Sequence, residues 1–202
     1  KHLKLYNEYD KLKEENNVLK NKISQSDFFR MENKQLKSLI GENLNEDINF
    51  FSARVMLDKK SPYLNSFVLN SGSNKKIKNG MAVLDDGKNF IGRIVDVNFF
   101  SSRVLLISDL NSKIPSIVEP SGTHGILSGH GSKNASLEYL PENHKVQDGD
   151  IVYTSGKEGI FAAGIPIGEV KKINRKIEVL LFSDLSQISF VNINLKELNS
   201  GQ

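Results

Sequence analysis

The chain contains no cysteine and no tryptophan, and only four histidines and five prolines in 202 residues. Without cysteine there is no disulfide, no thiolate metal site and no thiol nucleophile. The histidines are His2, His124, His130 and His144, with no HxH or HExxH spacing. A zinc site would therefore need ligands converging from separate loops, and neither a metal nor an organic cofactor is expected. No apolar run reaches the ~18 residues of a membrane-crossing helix. Arginine is scarce too, confined to Arg30, Arg54, Arg93, Arg103 and Arg175. The net charge of +3 rests mainly on lysine. No arginine–aromatic cluster of the kind that reads nucleic acid is present, so no nucleic-acid partner is expected.

What is present falls into two compositional zones. Residues 1–44 have no proline and a single glycine, Gly41. Leu5, Leu12 and Leu19 are seven apart, and Tyr9, Asn16 and Ile23 follow each by four. This 4-3 alternation is a heptad seam, with Lys4, Glu8, Lys11, Glu14, Glu15, Lys20 and Lys22 left for solvent. The pattern predicts a dimerising coiled-coil helix over 1–44, with Asn16 paired to its own copy. Phe29, Leu36 and Leu39 or Ile40 continue the stripe one residue out of step with Ile23. Lys1 already falls inside the helical pattern with no cap ahead of it, so a longer N-terminus is expected. Residues 45–50 read as a polar linker and 198–202 as a tail.

The remainder is an internal repeat of short strands. Asn79–Ile94 (NGMAVLDDGKNFIGRI) is a degraded copy of Gly149–Val170 (GDIVYTSGKEGIFAAGIPIGEV). Downstream, Val104, Leu105, Leu106, Ser108, Asp109 and Leu110 recur as Val179, Leu180, Leu181, Ser183, Asp184 and Leu185. The repeat is about 75 residues long, enough for each unit to bury a small core. Short β-branched runs between Gly, Asn and Asp turn formers predict closed antiparallel barrels. Gly80, Gly92, Gly149, Gly156, Gly164 and Gly168 are the expected turn and bend positions.

Catalytic readings find little support in the sequence. Two tandem barrels invite a Ser-His-Asp hydrolase, and His130 lies two residues before Ser132 in SGHGS. No orienting acid accompanies that pair, and no glycine-rich oxyanion loop follows. Ser155, in TSGKEG, is more simply a turn residue. The glycine-rich segments precede strands, whereas a phosphate cradle needs a helix N-terminus directly after the glycines. The sharpest exposed-patch candidate is Phe99-Phe100. They fall in a connection where the second repeat carries Arg175 and Lys176. Alternation along a strand can send one of the two rings inward and the other out, as a small partner-binding anchor; the plainer expectation is that both pack under a neighbouring loop.

Several of these segments together resemble the rod-shape-determining MreC family. They are Ala53–Leu57 (ARVML), Asn70–Met81 (NSGSNKKIKNGM), Ile91–Val95 (IGRIV), Ser102–Leu110 (SRVLLISDL), Leu137–Pro141 (LEYLP) and Gly149–Val170. The resemblance implies a non-catalytic periplasmic scaffold of the bacterial cell-elongation machinery. It implies membrane attachment through a helix ahead of the coil, homodimers that assemble into filaments, and binding and activation of a class B penicillin-binding transpeptidase. Other membrane morphogenesis proteins are implied as further partners. It also implies that one barrel is inserted in the other, here 51–111 plus 169–197 for the first and 112–168 for the second; the alternative is a sequential division, 51–120 then 121–197. A rival reading, a periplasmic adaptor of an efflux or secretion system, also combines coil and barrels. Such adaptors carry a helical hairpin within a barrel-like domain, whereas here the coil is single and N-terminal.

Overall fold

The computed structural model describes residues 2–39, 50–56, 65–131, 134–157, 162–173, 176–185 and 188–195. The chain divides into two compact units, Lys1–Asp47 and Ile48–Gln202. The described residues of the first form a single helix, α1 (His2–Leu39). It runs uninterrupted because the segment lacks both glycine and proline. Tyr9, Leu12, Leu19 and Ile23 are between 58 % and 63 % exposed, and Asn16 is exposed with them. The side chain of Leu5, residues 45–49 of the proposed linker and the tail lie outside the described residues, and Phe50, expected in the linker, is already strand.

The second unit holds twelve strands in two closed, six-stranded antiparallel barrels. In chain order they begin with β1 (Phe50–Met56), β2 (Ser66–Leu69), β3 (Ala82–Leu84), β4 (Phe90–Val97), β5 (Ser102–Leu106) and β6 (Lys113–Glu119). There follow β7 (Thr123–Gly129), β8 (Asn134–Glu138), β9 (Ile151–Thr154), β10 (Pro166–Ile173), β11 (Lys176–Leu181) and β12 (Phe190–Asn194). The first barrel closes as β1-β12-β3-β4-β5-β2 and the second as β10-β11-β8-β7-β6-β9.

Aligned by the repeat, β3, β4 and β5 of the first barrel match β9, β10 and β11 of the second. The position taken by β12 in one barrel is taken by β6 in the other. Each repeat thus sends its sixth strand into its neighbour's barrel. The hydrogen bonds repeat as well. Gly80 N donates to Ile94 O at 2.8 Å and Ile94 N to Met81 O at 3.0 Å. Gly149 N donates to Val170 O at 3.0 Å and Val170 N to Asp150 O at 2.8 Å. Both glycines sit at positive φ, +86° and +90°, where an L side chain is strained.

This topology corrects the barrel boundaries expected from sequence. Residues 169–181 complete β10 and form β11, and both strands belong to the second barrel. The inserted barrel therefore spans 113–181, and the first comprises 50–106 plus 190–194. The reason is local. The β10–β11 hairpin is the repeat's counterpart of β4–β5, and a two-strand hairpin stays together in one sheet.

The barrels share core. Strand β3 is buried on both faces: Val83 packs into the first barrel, while Ala82 and Leu84 join Phe90 and Ile107 in the apolar cluster of the second. Leu185 packs against both clusters. At the corner after β5, buried Asp109 accepts hydrogen bonds from Asn65 N (2.8 Å), Asn111 N (2.8 Å) and Asn111 Nδ2 (3.1 Å). These donors offset the desolvation of the buried carboxylate. In the second repeat, Ser183 Oγ donates to Asp85 Oδ2 at 2.6 Å, tying that corner back to the first barrel.

Candidate interaction surface

The tip of the β4–β5 hairpin, Asn98–Ser101, is held by its own closure and by a neighbouring loop. Asn98 N donates to Ser101 O at 2.8 Å and closes the turn. Ser73 N donates to Asn98 O at 2.9 Å, Asn74 N to Phe99 O at 3.1 Å, and Ser102 Oγ to Ser71 O at 2.8 Å. Gly72 makes this approach possible. A Cβ there would lie 2.0 Å from Asn98 O and 2.8 Å from Phe99 O. The sequence NSGSN is thus a cradle for the tip, and only glycine fits at its centre.

On this fixed backbone both rings point outward. Phe99 is 62 % and Phe100 71 % exposed, and they pack edge to face with centroids 4.7 Å apart. Both expectations, one ring in the core and both rings under a loop, are therefore corrected. The tip is a turn beyond the last pair of β4, Val97↔Ser102, where strand alternation no longer governs direction.

The cradle continues as a 3₁₀ turn, Ser73–Lys75, followed by Lys76 at φ 61°. Lys75 N and Lys76 N donate to Gly72 O and Ser73 O, each at 3.0 Å. Ile77 is buried in the first barrel's core, while Lys75, Lys76 and Lys78 are exposed on either side of it. The lysines were present in the NKKIKNG motif, but only the fold brings their loop against the phenylalanines.

The remaining expected positions scatter. Gly80, Gly149, Gly156 and Gly164 lie at positive φ. Gly92 and Gly168 are not turns; they sit within β4 and β10, where a Cβ would lie 2.3 Å from the carbonyl oxygens of Leu105 and Leu180. Ser155 Oγ accepts from Lys157 N at 3.3 Å, a local turn bond. Ser132 lies outside the described residues.

His130 engages a different serine. Its Nε2 is 2.6 Å from Ser136 Oγ, and that hydroxyl donates to Glu138 Oε1 at 3.4 Å. Glu138 Oε2 accepts from Ser128 Oγ at 2.8 Å and from Lys113 Nζ at 3.3 Å. The Ser128 hydrogen bond, joined by Lys113, holds the Glu138 carboxyl below its usual range against the opposing effect of desolvation. Sequence reasoning missed this network because Lys113, Ser128 and the Ser136 and Glu138 pair come from three adjacent strands, β6, β7 and β8, with His130 just past the end of β7.

A concavity of about 480 Å³ lies beside the two Ser-Asp-Leu corners. Leu106 and Ser108 line one side, and Leu181, Phe182 and Ser183 the other. No cluster of metal-ligating side chains occurs among the described residues.

Comparison with known proteins places this architecture. Among curated relatives, the cell shape-determining protein MreC of Caulobacter vibrioides (strain NA1000 / CB15N) is 36 % identical over 165 residues. That match covers 81 % of this chain and 47 % of the relative, so the chain spans about half of that protein's length. Among solved structures, an MreC from Listeria monocytogenes superposes with a TM-score of 0.80 at 25 % identity, covering 95 % of this chain and 98 % of that one. An MreC chain from a Helicobacter pylori complex between penicillin-binding protein PBP2 and MreC shares the fold. Its TM-score is 0.55 at 18 % identity, with 73 % of this chain and 99 % of that one covered. The family model described as rod shape-determining protein MreC, barrel core, matches residues 55–194, and the chain belongs to that family.

Proposed function

We propose that the chain is a periplasmic scaffold of the cell-elongation machinery that binds and activates a peptidoglycan transpeptidase to maintain rod shape. The observation that carries this reading is the family match across both barrels, 55–194. The family is non-enzymatic and structural, and the barrels are read accordingly. The Helicobacter pylori complex, in which a family member sits with a penicillin-binding protein, supports the choice of partner. Attachment to the inner membrane through a segment ahead of α1, filament assembly and contacts with other membrane morphogenesis proteins complete the proposal.

The proposal includes dimerisation through α1. An isolated helix gains little from one exposed apolar stripe, and Leu12, Leu19 and Ile23 are exposed on it. Burying each leucine against a second helix contributes roughly 1.5–3 kcal/mol. With Leu at d and Tyr9, Asn16 and Ile23 at a, Glu8 and Glu15 fall at g, while Lys13 and Lys20 fall at e. Parallel chains in register then set Glu8 near Lys13 and Glu15 near Lys20 of the second copy.

The test is complementation. In cells depleted of the native protein, the full-length gene should restore rods, as should versions carrying Ser155→Ala or His130→Ala. Round cells with stably expressed wild-type protein would contradict the shape-determining role. Loss of shape from a folded His130→Ala protein would reinstate catalysis.

A further inference from the structure

We infer that Phe99 and Phe100, with Lys75, Lys76 and Lys78, form one docking surface, and that its occupant is a face of the penicillin-binding protein presenting an apolar socket rimmed by carboxylates. The inference rests on the transpeptidase reading above. It goes further by naming the surface and the chemistry that meets it.

Three observations converge on this patch. First, two adjacent aromatic rings stand in solvent, 62 % and 71 % exposed, with no strand alternation to draw either inward. Buried aromatic anchors dominate the energetics of protein interfaces, and phenylalanine is enriched in their cores. Second, the backbone beneath the rings is already fixed. The carbonyls of Asn98 and Phe99 are both engaged by the Ser73–Asn74 cradle, and Gly72 admits no side chain between them. A preorganised tip loses little conformational freedom on docking. Third, the same cradle carries exposed lysines at 75, 76 and 78, pinned through buried Ile77.

The lysines set the chemistry that the occupant's rim must carry, and the transpeptidase reading supplies the occupant. Lysines beside an apolar anchor act as a rim: they steer an acidic partner and raise the association rate, while the anchor governs dissociation. The two halves of the surface therefore have separable kinetic signatures.

Biolayer interferometry reads both. The full chain is immobilised, and the purified periplasmic region of the host's elongation-specific penicillin-binding protein is the analyte. Phe99→Ser and Phe100→Ser should each weaken binding at least tenfold through faster dissociation, with melting temperature unchanged. The double variant Lys75→Glu/Lys76→Glu should slow association several-fold at low salt. It should also flatten the decline in association that the wild type shows as sodium chloride is raised.

Folded phenylalanine and lysine variants that bind like the wild type, with the same salt response, would overturn the surface and leave the transpeptidase reading standing. Absence of binding by the wild-type chain would overturn that reading and the surface with it. Phenylalanine variants that bind the partner normally but shift the sedimentation of the chain alone would make the patch a contact between copies, and refute the proposal. Should a phenylalanine variant melt early, the lysine variant decides, because its side chains are exposed: unchanged association at low salt overturns the proposal.

Discussion

Gly92 and Gly168 occupy the same position in two different barrels. A Cβ on Gly92 would meet Leu105 O at 2.3 Å and Val104 Cγ1 at 3.1 Å, and one on Gly168 would meet Leu180 O at 2.3 Å and Val179 Cγ1 at 2.9 Å. Neither can be relieved by a rotamer change, because the nearest obstacle is backbone. Gly92→Ala and Gly168→Ala should each destabilise by about 1–3 kcal/mol, as overpacking of a closed core does. Differential scanning calorimetry should show melting lowered by about 2–4 °C per kcal/mol. A variant melting with the wild type would show that the strands can separate freely there.

The exchanged sixth strands predict a single cooperative unit. The first barrel lacks β12, and the second lacks β6, whenever the two repeats are separated. Fragments 50–122 and 123–195 should each be unfolded alone by circular dichroism and should regain β signal when mixed. A fragment that folds alone would show that one barrel closes without the borrowed strand.

Much of this architecture is legible in the sequence. The Val-Leu-Leu…Ser-Asp-Leu echo marks the duplicated hairpins, and Gly80 and Gly149 fall at matching positive-φ positions. The exchange is not legible in the residues themselves; it enters through the family resemblance, whose division already sets 113–119 in the second barrel and 190–194 in the first but splits the β10–β11 hairpin from the second. β6 and β12 follow their repeats after short connections, and nothing in KIPSIVE or FVNIN states which barrel each completes. Ala82, Leu84 and Phe90, from strands of the first barrel, pack in the second barrel's apolar cluster and join the two. The aromatic pair was visible as a candidate; its lysine collar was not, because about 20 residues of chain separate them until Gly72 closes the approach.

The Glu138 network makes a pH prediction. Its carboxyl is held below the usual range, chiefly by the Ser128 hydroxyl. The stability this contributes is present above the unfolded-state value and is lost as pH falls through the lower folded value. Ser128→Ala should raise the Glu138 titration midpoint, read by carbonyl NMR shifts. An unmoved midpoint would show that Lys113 and Ser136 sustain the effect without Ser128.

For the helix, Leu12→Asp should convert a dimer to a monomer in sedimentation velocity. A charged side chain in a closed seam costs several kcal/mol unless paired. An undiminished dimer would move the self-contact to the barrels.

Cross-linking mass spectrometry on the reconstituted complex between the full chain and the penicillin-binding protein would locate the contact. An amine-to-carboxyl reagent should join Lys75, Lys76 or Lys78 to acidic residues of the partner, and Phe99→Ser should suppress those links. Links confined to Lys171, Lys172 and Lys176, with Lys75, Lys76 and Lys78 unmodified by the partner, would place the working surface on the second barrel and contradict the account.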